Sequence, residues 1–157
     1  MLGDTHIPDF AKSLPRTLLP ALHRAELILH AGDVTAPEVL EELAGYAPVH
    51  VALGNRDRPE VKAWGALPVV TLDLDGTPLV MIHDAGPRAG RERRMRRRFP
   101  EAALFVFGHS HIPIDAEHEG MRLLNPGSPT WKRRQSAPTY ATVDVVDGRI
   151  RSRIVAL

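Results

Sequence analysis

Histidine, aspartate and asparagine side chains occur in five short segments whose residue types suit metal binding. The first segment, Asp4-Thr5-His6, and the last, His109-Ser110-His111, each carry two such residues in alternate positions. In an extended or turn segment residues i and i+2 point to the same side, so each pair can present two ligands together. The segments between them contribute one carboxylate, one amide and one imidazole: Asp33, Asn55 and His83.

Together these side chains supply four imidazoles, two carboxylates and one amide oxygen. They are too many for one tetrahedral zinc ion, and they contain too much nitrogen for Mg²⁺ or Ca²⁺. Two transition-metal ions that share a carboxylate would use all of them. Taken one at a time, most of the segments are more typical of ordinary turns or core histidines. Their joint occurrence is what predicts a metal centre.

Short apolar runs precede these residues and predict the strands that position them. Each run contains three to five residues and ends in Gly, Asp or His, as in 27–29, 49–53, 79–82 and 104–107. Such runs are typical of buried strands. Ligands in open α/β folds collect outside the carboxyl ends of strands. We therefore expect these strand ends to meet at one site.

Helices are predicted over 15–25, 37–43 and 88–99, the second because its apolar residues follow a helical spacing and its first turn is acidic. Two hairpins are predicted over 69–82 and 140–155, each turning on an Asp-Gly pair. The order of these elements predicts an α/β core with one mixed sheet or two stacked sheets.

The composition is that of one domain over residues 1–157, with 43% hydrophobic and 25% charged residues. The absence of cysteine excludes a disulfide framework, a thiolate zinc finger and a cysteine nucleophile. No apolar stretch approaches 18 residues, and no signal-peptide pattern begins the chain. We therefore predict a cytoplasmic protein that does not interact with membranes.

A formal net charge of +1 conceals two halves of opposite charge. Residues 1–84 carry twelve acidic and six basic side chains, whereas residues 85–157 carry seven acidic and fourteen basic ones. Seven arginines lie between Arg88 and Arg98. This run is typical of a solvated helix face, and it also suits docking of nucleic acid or of a polyanionic substrate. No aromatic residue alternates with the arginines, so base stacking on the run is not predicted.

An ordered set of motifs resembles the signature of the calcineurin-like metallophosphoesterases: Gly3-Asp4-Thr5-His6, Gly32-Asp33, Gly54-Asn55-Arg56-Asp57, His83 and Gly108-His109-Ser110-His111. The resemblance runs from residue 3 to about residue 145 and includes Asn125-Pro126-Gly127-Ser128-Pro129. It is greatest to small bacterial and archaeal phosphodiesterases that lack a cap domain. It implies a four-layer αββα sandwich, in which two mixed β-sheets lie face to face with helices outside.

The resemblance also implies hydrolysis of phosphodiester bonds in small-molecule or nucleotide substrates, through a hydroxide that bridges two divalent metal ions. Manganese is favoured, with iron, nickel or zinc as alternatives. Asp57 is expected to orient a ligand or the Asn55 loop. The implied ligands are Asp4, His6 and His111 for the first ion, Asn55, His83 and His109 for the second, and Asp33 for both.

Two positions depart from the family pattern. Many relatives have histidine at the position of Arg56, and arginine cannot donate a proton at neutral pH. Its planar guanidinium can hold a phosphate, so we expect Arg56 to bind substrate, with an exposed turn arginine as the alternative. Protonation of the leaving group then falls to His109, to water or to no group. Asp84 follows His83 where relatives often have glycine, and we expect it to cap the next turn.

Only three residues precede Asp4, where the family has an interior strand of several apolar residues. We expect either a nearly absent strand or a natural start further upstream, and we favour the second. The alternative function is a protein-binding scaffold of the same fold, which resembles the retromer subunit. Retention of all the implied ligands favours the enzyme. The sequence is also compatible with a homo-oligomer.

Overall fold

A computed structural model describes residues 1–157. The α-helices are α1 (Leu19–Leu22), α2 (Glu38–Ala44), α3 (Pro59–Trp64) and α4 (Arg91–Arg98), and a 3-10 turn over Arg16–Leu18 leads into α1. The strands are β1 (Ile28–His30), β2 (Val49–Val51), β3 (Val70–Leu74), β4 (Thr77–Met81), β5 (Leu104–Val106), β6 (Ile114–His118), β7 (Met121–Asn125), β8 (Thr139–Val146) and β9 (Arg149–Ala156).

Five strands form a mixed sheet in the order β3-β4-β5-β7-β6. The central strands β4, β5 and β7 are parallel, and the edge strands β3 and β6 are antiparallel to their neighbours. The predicted hairpin around Asp75-Gly76 is present as β3 and β4. Both turn residues have positive φ, +49° and +79°, which is the conformation that a two-residue hairpin turn requires.

The second sheet joins the parallel pair β1–β2 to the antiparallel hairpin β8–β9. Residues Met1 and Leu2 connect them. The amide of Leu2 donates to Leu29 O over 2.8 Å, and Met1 N and O each bond the backbone of Ala141, at 2.7 and 3.0 Å. Met1 and Leu2 are thus the residues of this sheet that precede Asp4.

Three clusters of buried apolar side chains define four layers. One lies between the sheets and takes Leu79 and Met81 from β4. The next residues along the same strand, Val80 and Ile82, face the opposite way and pack against Met95 of α4. A third cluster packs α1, α2 and α3 against the outer face of β1 and β2. Because alternate residues of a strand point to opposite faces, each sheet is covered on both sides. The αββα sandwich is confirmed.

The elements differ from their predicted bounds in ways that have local causes. The helix predicted over 15–25 contains only the 3-10 turn and α1, since Pro20 lacks the amide that the interior of a continuous helix needs there. Helix α4 begins at Arg91 because Gly90 has φ of +64°. Helix α3 and the β6–β7 hairpin were not predicted. No helix has the length and apolar character that a membrane crossing requires.

Candidate metal centre

All seven predicted metal ligands come together where the carboxyl ends of strands from the two sheets meet. Asp33 follows β1 and Asn55 follows β2, whereas His83 follows β4 and the two histidines of the last motif follow β5. These four strand ends come together because each pair of strands is parallel. Asp4 and His6 follow the Leu2 bridge to β1. The predicted convergence of strand ends is therefore present.

The first candidate metal group contains Asp4, His6 and His111, all of which are buried. The Nε2 atoms of the two histidines lie 3.2 Å apart. Asp4 Oδ1 lies 3.5 Å from His111 Nε2 and 3.9 Å from His6 Nε2. Three donor atoms thus face one small volume from three directions.

The second candidate group contains His83 and His109, with Asn55 beside them. His83 Nε2 lies 3.0 Å from Asn55 Oδ1, and His109 Nδ1 lies 2.9 Å from the same oxygen. The two histidine nitrogens are 3.2 Å apart. His83 is buried, whereas the His109 side chain is 45% exposed, so this group faces solvent on one side.

Asp33 lies between the groups and directs one carboxylate oxygen toward each. Its Oδ2 is 3.6 Å from His6 Nε2 in the first group, and its Oδ1 is 3.4 Å from His83 Nε2 in the second. A carboxylate in this position can share one negative charge between two cations. The arrangement agrees with the bridging role that the sequence resemblance implies for Asp33.

Five of the seven side chains stand on backbone with positive φ, between +48° and +66°. This left-handed region is uncommon for residues other than glycine, and sparsely populated conformations cost on the order of 1–3 kcal/mol each. Such strain persists only where surrounding contacts enforce it, and it is concentrated at functional sites. The residues are Asp4, His6, Asp33, His109 and His111.

Backbone carbonyls fix the orientation of two of the histidines. Nδ1 of His83 lies 2.8 Å from Ala31 O, and Nδ1 of His111 lies 2.7 Å from Trp131 O. A carbonyl only accepts, so each Nδ1 carries the proton and each Nε2 keeps its lone pair for a metal ion. Metal-binding histidines commonly have an outer partner of this kind.

Asp57 holds the Asn55 loop against Asp33. Its carboxylate accepts hydrogen bonds from the amides of Gly54, over 2.6 Å, and Thr35, over 2.8 Å. The amide of Arg56 then donates to Asp33 Oδ1 over 2.8 Å. Burial raises the pKa of Asp57, while the two amides oppose that shift. This geometry agrees with the expected positioning role of Asp57.

The segment from Asn125 to Thr130 is hydrogen-bonded to the two loops that carry the first and the last histidine motifs. Asn125 Nδ2 donates to Gly108 O over 2.9 Å, and Ser128 Oγ donates to Asp4 O over 2.7 Å. Thr130 Oγ1 donates to Thr5 O over 2.6 Å. Reasoning from metal-ligand types missed these residues, although the Asn-Pro-Gly-Ser-Pro motif was a signal for them.

Two aromatic rings and two arginines stack beside the first group and form what we call the aromatic column: Arg56, Phe10, Trp131 and Arg133. The rings of Phe10 and Trp131 are stacked at 3.8 Å, and both contact the ring of His6 edge-on. The guanidinium of Arg56 lies 5.6 Å from the Phe10 ring, and that of Arg133 lies 4.7 Å from the Trp131 ring. Sequence reasoning found only Arg56, since stacking requires tertiary proximity.

Burial and neighbouring charges shift the pKa values of the candidate ligands in both directions. Burial lowers the pKa of His6 and of His111 to about 4, so both imidazoles are neutral at pH 7. Burial raises the pKa of Asp33, but the hydrogen bond and charge of His83 outweigh this and bring it to about 2. For Asp4, burial is the dominant effect and raises the pKa to about 7.

An unpaired carboxylate oxygen of Asp4 indicates whether the residues of the centre are suited to a metal ion. Asp4 Oδ2 is buried and has no hydrogen-bond partner, as is also true of His6 Nδ1. Leaving a buried polar group unpaired is unfavourable, whereas a cation beside Asp4 would offset its desolvation. The mixed imidazole and carboxylate donors suit a transition metal. The residues therefore fit such ions at both candidate groups.

Asp84, which the sequence analysis singled out, lies beside the centre. Asp84 Oδ1 accepts a hydrogen bond from the amide of Gly86 over 2.7 Å, which is the expected turn cap, while its Oδ2 lies 4.0 Å from His109 Nε2. Two other histidines lie on the neighbouring strands. His30 of β1 is fully buried, and its Nε2 lies 3.1 Å from Thr5 Oγ1. His50, the middle residue of β2, is exposed.

Comparison with known proteins agrees with this geometry. Residues 1–148 match the family model of the calcineurin-like phosphoesterase superfamily domain. A protein of Methanothermobacter thermautotrophicus named "probable metallophosphoesterase" is 37% identical over 141 residues, which covers 85% of this chain and 77% of that protein. The chain belongs to the calcineurin-like phosphoesterase superfamily.

Solved structures share the fold. Vps29 of Entamoeba histolytica in complex with Zn²⁺ superposes with a TM-score of 0.77 at 22% identity, covering 99% of this chain and 96% of that one. A structure described as a novel archaeal phosphodiesterase gives a TM-score of 0.71 at 18% identity, with 98% and 97% coverage. At these identities the similarity shows the fold alone.

Proposed function

We propose that this protein is a dimetal-dependent phosphodiesterase acting on small-molecule or nucleotide phosphodiesters in the cytoplasm. The observation that carries the proposal is Asp33, which directs one oxygen to each of two histidine-containing groups at 3.6 and 3.4 Å. The metal assignment predicted from the sequence is retained: one ion on Asp4, His6 and His111, a second on Asn55, His83 and His109, and Asp33 shared. Manganese is our preferred ion.

Two divalent ions held there would supply an activated water and positive charge for the phosphate oxygens. The residues of the chain would provide binding and proton transfer. Arg56 and Arg133, on the aromatic column, would hold phosphate oxygens that do not face the ions. The His109 side chain is 45% exposed and its Nε2 is not placed against the other candidate ligands, so it is our candidate for protonating the leaving group.

A protein-binding scaffold is the alternative function, because Vps29 structures share this fold closely. The presence of every implied ligand, in an oriented and strained constellation, supports the enzyme. Strain at binding residues is expected where it serves a site.

The deciding experiment measures bound metals by mass spectrometry and hydrolysis of bis-(p-nitrophenyl) phosphate and p-nitrophenyl phosphate, with and without Mn²⁺. We expect roughly two transition-metal ions per chain and faster cleavage of the diester. Asp33→Asn should lose activity by about 100-fold or more, in line with the loss of an electrostatic catalytic group. His50→Gln, which changes an exposed histidine outside the centre, is the matched control. A folded protein that binds no metal and cleaves neither ester is the result that would favour the scaffold.

A further inference from the structure

The seven arginines between Arg88 and Arg98 form no ion pair. The only acidic residue among them is Glu92. The arginine–carboxylate pairs of the structure join Arg58 to Asp9 and Arg122 to Asp115 and Glu117. No carboxylate of the protein is therefore paired with the arginines of this region, which we call the arginine face.

Three of these arginines have structural roles that leave their charge in place. Arg91 donates to Gly86 O over 2.8 Å, and Arg96 donates to Glu119 O over 2.8 Å. Arg94 donates to three carbonyls of the segment before the helix. The four others are exposed and donate no side-chain hydrogen bond to the protein: Arg88, Arg93, Arg97 and Arg98.

The arginine face continues into the metal centre. A shallow cleft of about 570 Å³ is lined by side chains of Arg94, Arg97 and Arg98 and by the segment that begins at Asp84. Asp84 directly follows His83, and its carboxylate lies 4.0 Å from His109 Nε2. The cleft therefore opens beside the second candidate metal group.

Basic side chains also lie on the other side of the centre. Arg56 and Arg133 end the aromatic column, and both act electrostatically on His6 in the first group. Positive charge thus borders the two candidate metal groups from both sides. A single phosphate ester would fill only the centre, whereas a chain of phosphates would also contact the arginines beside it.

We propose that the arginine face docks the phosphate backbone of a single-stranded oligonucleotide, whose scissile diester lies at the metal centre. This inference rests on the proposed function and names its substrate class. The arginine face contacts phosphates without reading sequence, because no aromatic side chain there is free to stack; Arg98 covers Phe99 at 5.0 Å. A single strand is favoured because the side chains of the first candidate group are buried, and a flexible strand can bend to bring one phosphate to them where a stiff duplex cannot.

The test measures fluorescence anisotropy of a labelled twelve-nucleotide single strand with phosphorothioate linkages, at several salt concentrations. The variant Arg97→Gln/Arg98→Gln removes two exposed arginines of the arginine face. We expect roughly tenfold weaker binding, and a slope of log K against log salt that is shallower by about 0.7 for each phosphate that is no longer neutralised. The matched control, Arg149→Gln/Arg151→Gln, removes the same charge from exposed positions on β9 and should bind as the wild type does.

The outcomes separate this inference from the proposed function. An equal loss of affinity in both double variants, or tighter binding of a duplex of the same sequence, would overturn oligonucleotide docking on the arginine face. Hydrolysis of bis-(p-nitrophenyl) phosphate measures the metal centre alone, and Arg97→Gln/Arg98→Gln should leave its kcat/KM unchanged. If the diester is cleaved but the arginine substitutions do not change the affinity for the oligonucleotide, the proposed phosphodiesterase function stands and docking on the arginine face is wrong. If docking depends on the arginine face but neither substrate is cleaved, docking stands and the hydrolytic function fails.

Discussion

At the scale of single residues, the site depends on side chains whose orientation is set by groups that do not bind metal themselves. His83 and His111 are oriented by the carbonyls of Ala31 and Trp131. Arg56 is different, since its guanidinium touches only the ring of Phe10 and is free to meet a substrate.

Replacement of Arg56 tests whether it binds substrate. If its guanidinium holds a phosphate oxygen, Arg56→Ala should raise KM for bis-(p-nitrophenyl) phosphate by about tenfold, the loss of one charge-assisted hydrogen bond of about 1.5 kcal/mol. Steady-state kinetics give KM and kcat separately. Arg58→Ala is the control, because that side chain is paired with Asp9 over 3.3 Å. Unchanged KM and kcat in Arg56→Ala would identify an ordinary turn arginine.

The core histidine His30 predicts a pH dependence of stability. Burial lowers its pKa from the ordinary histidine value of 6.5 to about 3, so the folded protein keeps it neutral. Between these values the unfolded chain binds more protons than the folded one, so the free energy of unfolding falls as the pH decreases. His30→Leu should remove this contribution and reduce the slope by about 1.4 kcal/mol per pH unit. Urea denaturation at pH 7, 6 and 5 measures both slopes, and equal slopes would contradict the assignment.

At the scale of elements, loops after parallel strands must approach one another more closely than side chains normally allow. Gly54 follows β2, and a Cβ at this position would overlap the backbone nitrogen and the carboxylate of Asp33. Gly108 follows β5 and would meet Ala31 O at 2.9 Å. Glycine at these strand ends lets both sheets deliver ligands to one centre.

Gly54→Ala should therefore damage the centre more than the fold. The methyl group must displace Asp33 or the Asn55 loop, so we expect loss of bound metal, at least about tenfold lower diesterase activity and a loss of stability of about 1–3 kcal/mol. Gly45→Ala is the control, since Gly45 has helical φ of −68° and its Cβ would have only one neighbour, at 3.2 Å. Metal content, activity and thermal unfolding of the two variants are compared. Normal metal content in Gly54→Ala would show that the Asn55 loop can move to accommodate the methyl group.

At the scale of the whole molecule, the two sheets are joined by their shared core and by the centre at one end of it. Asp33 comes from one sheet and His83 from the other, so ions bound to both would tie the layers together. The acidic half of the sequence supplies the carboxylates, and the basic half supplies the arginine face.

Removal of metal should consequently lower the thermal stability of the entire domain. A ligand present at about 100 times its Kd stabilises the folded state by about 2.7 kcal/mol. For a chain of this size that corresponds to a shift in Tm of roughly 5–10 °C. Calorimetry before and after treatment with a chelator measures the shift, and added Mn²⁺ should restore it. In Asp33→Asn the chelator should have little effect; an equal shift there would place the stabilising ion elsewhere.

The amino-acid sequence by itself determined the chemistry and the class of fold. Its ligand types are local facts, and short continuous apolar runs suffice to predict the strands that precede Asp33, Asn55 and His83. The Asp-Gly turns likewise fixed both hairpins, because positive φ is a local requirement. Helix bounds were less predictable where proline or glycine interrupted the pattern, as at Gly90.

Only the tertiary structure decided which distant groups meet. Asp57 accepts a hydrogen bond from the amide of Thr35, and Ser128 donates one to the carbonyl of Asp4. Both contacts join segments that are far apart along the chain, so no local sequence pattern predicts them. The stacking of Phe10 on Trp131 is of the same kind. The arginine run shows the difference most directly. The sequence alone shows the charge of this run. Whether carboxylates pair with it, and which site it borders, depends on how the sheets pack.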